Sequence, residues 1–258
     1  MTFRGRAYVA LILACLACLL VSANKGMAQD SAPAPVQDRL TLPEVVEKLT
    51  EMNAERALAL QRYSSRRTYQ LDYVGFPSSM HSELVVDMKY NAPATMEFTV
   101  VSQTGPKWMI NLVLKKILES EQESIGSANR ASVQITEQNY NFKMADSQET
   151  TDGCSYVLDV EPKVTNKFLF RGRIWVDDKD FAVCRIEAEP AKNPSFWIKK
   201  TEIHHSFLKV GDFWLPAENK SVSHVRLNGH ATLTIKYGDY QIQAARELAM
   251  TTPRPGSN

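Results

Sequence analysis

The chain has 258 residues, of which 30 are basic and 29 acidic, so its formal net charge is +1 at neutral pH. A charge this close to zero excludes binding to nucleic acid through bulk electrostatic attraction. The length and the 44% share of hydrophobic residues allow one β-rich domain with a substantial core.

The N-terminus has the pattern of a secretory signal peptide. Two arginines precede an apolar run over 7–23, which is shorter than a membrane span and is followed by small residues. Cleavage is expected after Ala28, giving a signal peptide over 1–28, while Ala23 offers a second cleavage site. The mature protein is therefore expected in the periplasm of a Gram-negative-type envelope, in solution or in association with the outer membrane.

Removal of the signal peptide changes both the charge and the cysteine count. It takes away three basic residues and no acidic one, which leaves 27 basic against 29 acidic residues and a formal charge of −2. Acylation of Cys15 or Cys18 would instead give a lipoprotein, but the apolar core continues beyond both. Cys154 and Cys184 remain. In a simple strand order one strand separates them by about 9–10 Å, beyond the bridging limit of roughly 7 Å, which favours two buried thiols over a disulfide.

The mature chain begins with a short leader and a helix. The leader over 29–40 is rich in proline and polar residues and is expected to be flexible. Thr41, Pro43 and Glu44 then suit the first turn of a helix, which is expected to end near Tyr63. Three strands are predicted after it, over 67–75, 81–90 and 95–103.

A second helix is predicted from Pro106 to Ser124. Its first three turns are apolar around most of their circumference, so they need cover from more than one layer or from an apolar partner. The glutamates at 119, 121 and 123 are expected to keep its last turns in water. This distribution predicts a helix that covers a concave surface.

From Tyr140 to Ile242 the sequence predicts about seven antiparallel strands, because apolar and polar residues alternate between turn signals. With the earlier elements, this predicts an α+β fold. We expect a strongly curved antiparallel sheet of about ten strands, a half-barrel, with helices packed in its concave face. The domain is expected to span 41–245, and a tail follows over 246–258.

The sequence lacks the motifs of the best-defined catalytic and phosphate-binding sites. Ser195, His204 and Asp212 can be arranged on paper as nucleophile, base and acid, but no nucleophile elbow surrounds Ser195, which favours a turn. His204 and His205 are adjacent, so on a strand they point to opposite faces and do not form a chelating pair. The expected protein has no enzyme activity, metal or cofactor.

Large aromatic residues are concentrated in the last strands and near the second helix. Core packing is the ordinary role of such residues in a sheet of this size. Together they also suit the lining of an apolar cleft, because a curved sheet covered by helices leaves a concave space. Such a space fits a lipid chain or an acylated peptide.

Four segments resemble the bacterial outer-membrane lipoprotein-sorting protein family: 171–177, 181–187, 194–198 and 211–216. Within them a strand ending in Trp-Val-Asp, a strand with Arg-Ile-Glu and a strand closing in Trp-Leu-Pro follow one another in order. The family is similar to the periplasmic carriers LolA and LolB and to the sensor domain of RseB. The resemblance covers most of the mature chain and implies an open half-barrel with helices inside its concavity.

Two functional hypotheses follow from this resemblance. The first is a non-enzymatic periplasmic carrier or chaperone for the acyl chains of lipoproteins or another lipid, working with a membrane-bound donor or acceptor protein. The alternative is an envelope sensor that binds lipidated or misfolded outer-membrane proteins. The second helix is expected to act as a movable cover, so that Leu114→Asp weakens acyl binding while the sheet stays folded. The residues expected to contact the lipid, chosen by type and alternation, are Phe98, Trp108, Leu112, Leu114, Trp175 and Trp214.

Overall fold

The structure is a computed structural model that describes residues 40–146, 153–193, 196, 198–226 and 229–244. The predicted signal peptide, the leader up to residue 39 and the tail lie outside these residues, as does Ser195. Within the described part of the chain, no helix is both long and apolar enough to cross a bilayer.

The described chain consists of ten strands and a few helices. The helices are α1 (Leu42–Ala59), α2 (Lys107–Met109), α3 (Lys115–Ile125) and α4 (Ser127–Arg130), with a π-helical turn (Ile110–Leu114) between α2 and α3 and a short 3-10 turn (Ala131–Val133) after α4. The strands are β1 (Leu60–Val74), β2 (Met80–Asn91), β3 (Thr95–Thr104), β4 (Tyr140–Met144), β5 (Tyr156–Pro162), β6 (Phe170–Val176), β7 (Val183–Pro190), β8 (Ile198–Val210), β9 (Phe213–Val225) and β10 (Gly229–Ala244).

All ten strands form one antiparallel sheet in the order β3-β2-β1-β10-β9-β8-β7-β6-β5-β4. β3 and β4 are its two edges and do not pair with each other, so the sheet is open. This confirms the predicted α+β fold, a curved antiparallel sheet with helices. Because β3 and β4 are consecutive in sequence but lie at opposite edges, the connection between them must cross a face of the sheet. The connection contains α2, α3 and α4.

Strand register assigns the apolar side chains to one inner face. Tyr69 lies opposite both Leu84 and Ile235, and side chains directly opposite each other share a face. The row continues across the sheet through Asn219, His205, Ile186, Ile174 and Leu158. Both helical regions pack on this inner face, because their buried side chains contact members of this row.

α1 covers one side of the inner face. Its buried residues Val45, Val46 and Leu49 pack in a cluster with side chains of β4, β5, β6 and β7. The backbone N–H of Thr41 donates to the Glu44 carboxylate at 2.7 Å, as the predicted helix start requires. The helix ends at Ala59 rather than near Tyr63, because the residues that follow pair with β10 and β2 and so belong to β1.

The segment 107–125, made of α2, the π-helical turn and α3, covers the other side. Four of its side chains are buried against β1, β2 and β10: Met109, Ile110, Leu114 and Leu118. Glu121 also faces the sheet, which corrects the expectation that all three glutamates lie in water. The segment is therefore packed as part of the core. Leu114→Asp is accordingly expected to destabilise the fold rather than only to weaken acyl binding.

Cys154 and Cys184 are joined by a disulfide, so the prediction of two free thiols is wrong. Two features bring their Cα atoms to 6.6 Å. β5 begins only at Tyr156, so Cys154 lies beyond the last pair that β5 forms with β6. Cys184 is the extra residue of a β-bulge, between the pairs that Val183 and Arg185 form with β6.

Removal of this disulfide is expected to lower the free energy of unfolding by about 3–4 kcal/mol, because it closes a loop with a sequence separation of 30 residues. Urea unfolding of the double variant Cys154→Ser with Cys184→Ser, compared with the oxidised parent, measures this difference. Alkylation of the denatured, unreduced protein produced from Gln29 onward is the control and should add no alkyl group. Two added groups would show that the bond does not form.

Candidate functional site

The helices leave the middle of the inner face uncovered. α1 lies over β4 to β7, and the segment 107–125 lies over β1, β2 and β10. Between them β8 and β9 form the floor of a groove of about 650 Å³. Ile117, Glu121 and Ile125 of α3 line it, together with Lys167 and Phe168 from the segment before β6. The groove is thus bounded by sheet, helix and loop.

The groove floor combines apolar and polar side chains. β10 contributes the apolar side chains Leu233, Ile235 and Tyr237, and β8 contributes Ile203. β8 and β9 contribute a set of polar side chains that share the inner face, here called the polar strip: Thr201, His205, Asn219, Ser221 and Ser223. The hydroxyls of Thr201 and Ser223 hydrogen-bond each other at 2.9 Å.

His205 lies at one end of the polar strip, held between aromatic rings. Its imidazole stacks on Phe207 at a centroid distance of 4.3 Å and faces Tyr237 at 6.3 Å. Burial lowers the pKa of His205 to about 4, so the ring is neutral at neutral pH. Its Nε2 is buried and has no hydrogen-bond partner among the described residues. A buried polar atom without a hydrogen-bond partner lowers the stability of the folded state. This one shows that hydrogen bonding in the groove floor is incomplete.

A buried ion pair between Arg67 of β1 and Glu121 of α3 joins the helix to the sheet at the wall of the groove. Arg67 is 3% exposed, and its Nη1 lies 2.5 Å from Oε2 of Glu121. The hydroxyl of Tyr69 donates to Oε1 of Glu121 at 2.9 Å. The guanidinium lies over the rings of Phe98 and Tyr237, at 5.6 and 5.0 Å. Burial raises the pKa of the Glu121 carboxyl against the opposing effect of Arg67. The positive charge of Arg67 and the negative charge of Glu121 compensate each other at this wall of the groove.

The groove is bridged on its solvent side by a second ion pair. Nζ of Lys167 lies 2.7 Å from Oε2 of Glu123, and both side chains are about half exposed. The pair joins the segment before β6 to α3. Because exposed ion pairs contribute little to stability, this bridge can open at small cost.

The six residues predicted to contact lipid lie in three different places. Phe98 and Leu114 belong to the cluster beneath the segment 107–125, where Leu114 is fully buried. Trp108 and Leu112 are 50% and 61% exposed on that segment's outer side. Trp175 and Trp214 pack in a separate small cluster with the disulfide. The structure therefore brings Phe98 and Leu114 together, but not the whole set.

Trp175 does not face the groove, because of strand alternation. Its neighbour Ile174 lies on the inner face, and successive side chains on a strand point to opposite faces. Trp214 packs in the same small cluster, and its Nε1 donates to Asp180 at 2.8 Å. The placement of Trp175 in the concave face is therefore corrected, whereas Trp214 lines a separate pocket of about 400 Å³ beside α1 rather than the groove. Phe98 remains beside the groove, through its contact with Arg67.

Sequence reasoning missed the polar strip and the buried ion pair. One signal was available: adjacent histidines on a strand must point to opposite faces. His204 indeed lies on the outer face, with Nδ1 3.6 Å from Glu187, while His205 points inward. The other polar residues of the strip gave no signal, since β8 and β9 carry polar side chains on both faces.

A second depression, of about 690 Å³, lies on the outer face over β4 to β8. Its charged side chains already have partners nearby. Glu161 lies 3.1 Å from Arg171, and Glu189 and Glu202 lie 3.1 and 2.9 Å from Lys200. The inner groove is the better candidate site because apolar side chains from both helix and sheet enclose it.

The fold is an open half-barrel with a groove on its inner face. No protein-family model matches the sequence, and no curated protein matches it. Among solved structures, the chain is similar to a DUF1329 family protein from Desulfovibrio piger ATCC 29098, with 11% identity, a TM-score of 0.41 and coverage of 78% of this chain and 92% of that chain. It is also similar to a domain assigned as an outer membrane lipoprotein-sorting protein from Vibrio parahaemolyticus, with 11% identity, a TM-score of 0.40 and coverage of 78% and 93%.

A third similar structure is a LolA superfamily protein from Nitrosomonas europaea, with 9% identity, a TM-score of 0.32 and coverage of 83% of this chain and 99% of that chain. The last two descriptions name the group of proteins that the sequence segments resemble. Likeness at these identities and TM-scores carries no inference about ligand or partner.

Proposed function

We propose that the protein is a non-enzymatic periplasmic carrier or chaperone that holds an acyl chain of a lipoprotein or another lipid in the inner groove. The observation that carries this proposal is the uncovered floor of β8 and β9 beside α3. The groove volume of about 650 Å³ lies within the range of roughly 300–1,000 Å³ that ligand pockets occupy. Its apolar lining includes Ile117, Ile125, Ile203, Leu233 and Ile235.

The energetics of such a site favour a long hydrocarbon chain. Each buried methylene contributes roughly 0.8 kcal/mol, so about ten of them contribute roughly 8 kcal/mol before the cost of association is subtracted. The exposed pair of Lys167 and Glu123 joins the segment before β6 to α3 beside the groove, and it can separate at small cost. The buried pair of Arg67 and Glu121 keeps α3 in place meanwhile.

The proposal is tested by titrating the mature protein with the neutral apolar probe phenylnaphthylamine, whose fluorescence rises in an apolar site. We expect saturable binding and displacement by acyl lipids. Ser221→Trp places a large ring in the groove floor and should weaken probe binding by at least about ten-fold, because it occupies the ligand volume. Val222→Trp is the matched control, since this neighbour points to the outer face.

Two results would contradict the proposal. The first is a parent protein that binds no probe after delipidation. The second is equal probe affinity in Ser221→Trp and Val222→Trp, with both variants shown to be folded by circular dichroism. The second result would place any bound probe outside the inner groove.

A second candidate function, an envelope sensor with a membrane-bound protein partner, is favoured by a different observation. Val101 on the free edge strand β3 is 49% exposed, and Trp108 and Leu112 on the helical segment after it are also exposed. Exposed apolar side chains beside an unpaired strand edge suit protein contact. A native mass spectrum of protein purified from its own cells separates the two functions: bound lipid supports the carrier, and a stoichiometric protein supports the sensor.

A further inference from the structure

We infer that the ligand is an uncharged acyl ester whose ester group binds the polar strip at His205 and Asn219, in preference to a free fatty acid. This inference rests on the proposed function and adds the chemical class of the ligand. Three features of the groove support this inference: the position of the polar strip, its free hydrogen-bonding groups and the absence of an uncompensated positive charge among the described lining residues.

The position of the strip requires a ligand with both apolar and polar parts. Asn219 lies between His205 on β8 and Ile235 on β10 in a single cross-strand row. Apolar side chains therefore flank the strip, with Leu233 and Ile235 of β10 on one side and Ile186 of β7 on the other. A plain hydrocarbon would displace water from these polar groups without offering hydrogen bonds in its place, and this costs free energy. A chain with a polar linkage would satisfy them.

The free hydrogen-bonding groups match a neutral ligand group. Among the residues that the structure describes, Nε2 of His205 has no partner and no hydrogen bond reaches the side chains of Asn219 or Ser221. A carboxamide both donates and accepts, and a neutral imidazole has one nitrogen for each role. An ester carbonyl accepts from such donors, and a glycerol hydroxyl can serve either role. The imidazole is part of the groove floor and its Nε2 is buried, so the inference includes a turn of the ring that brings a nitrogen to the ligand.

The charges around the groove disfavour a carboxylate. The two cations that line it are Arg67 and Lys167, and each already has a carboxylate partner, Glu121 at 2.5 Å and Glu123 at 2.7 Å. All members of the polar strip are uncharged at neutral pH. A fatty-acid carboxylate placed on the strip would therefore be desolvated without a counter-charge, which is costly.

Competition against bound phenylnaphthylamine tests this inference with the parent protein at neutral pH. Monopalmitoylglycerol and palmitate carry the same acyl chain and differ in the ester and the carboxylate. We expect monopalmitoylglycerol to displace the probe at a concentration at least about ten-fold lower than palmitate. Equal displacement by the two lipids, each below its aggregation concentration, would overturn the inference.

A variant with His205→Phe and Asn219→Leu gives the second test, because it keeps the aromatic stack and removes the hydrogen-bonding groups. We expect its preference for monopalmitoylglycerol over palmitate to fall by at least about five-fold, with phenylnaphthylamine titrated separately so that each competition is corrected for the variant's own probe affinity. Retained preference for the ester in this variant would overturn the inference. If the pair does not fold, His205→Phe alone, which conserves the ring stack, is measured in the same way.

These results are distinct from a failure of the proposed function. If phenylnaphthylamine does not bind the parent, the groove is not an apolar ligand site and both proposals fall. If the probe binds and Ser221→Trp blocks it, but the two lipids compete equally, only the assignment of an ester is wrong.

Discussion

Replacement of Glu121 by leucine is expected to lower the free energy of unfolding by about 3–5 kcal/mol, because it leaves a buried charge without its partner. Arg67 is 3% exposed, so its guanidinium has little contact with water in the folded protein. Tyr69 also loses the acceptor of its hydroxyl. The shift in the midpoint of urea unfolding, with the slope unchanged, measures the effect.

The matched control replaces both members of the pair. Arg67→Met combined with Glu121→Leu removes the two charges together, and apolar side chains then fill the space between Phe98 and Tyr237. This double variant should recover most of the lost stability. Equal loss in the single and double variants would show that the charge of Arg67 is not the cause.

Leu114→Asp is expected to destabilise the protein by more than about 4 kcal/mol and to abolish cooperative folding near room temperature. Leu114 is 0% exposed in the cluster formed by the segment 107–125 and the inner face. An aspartate there loses apolar contacts and places a carboxylate among apolar side chains. Circular dichroism with urea unfolding detects the loss.

Leu112→Asp is the control for this substitution, since Leu112 lies on the same segment but is 61% exposed. It should change the free energy of unfolding by no more than about 0.5 kcal/mol. If Leu114→Asp instead unfolds as cooperatively as the parent and loses only probe binding, the segment is the movable cover that the sequence pattern predicted.

The sheet was largely predictable because its strands alternate strongly. Leu84 and Val86 share the inner face with the buried Met88, as do Leu233 and Ile235, and both sets follow directly from a period of two. The helix start was predictable for a local reason, the hydrogen bond between Thr41 and Glu44. Features that depend on neighbours in sequence were therefore the ones that could be anticipated.

The candidate site was less predictable, because it depends on contacts between distant residues. Arg67 and Glu121 are separated by 54 positions and have the polar character of surface residues, so only the packed structure shows that they meet inside. Trp175 was assigned by residue type, although alternation with Ile174 places it on the other face. The disulfide depends on a β-bulge at Cys184 that leaves no clear mark in the sequence.

The most direct test of the central claim is a crystal structure of the mature protein with an acyl ester brominated at the end of its chain. We expect the anomalous bromine signal in the groove between α3 and the floor of β8 and β9, with the ester within hydrogen-bonding distance of Asn219 or His205. A bromine signal confined to the exposed side of Trp108 and Leu112, or to the outer face, would contradict the assignment of the inner groove as the acyl site.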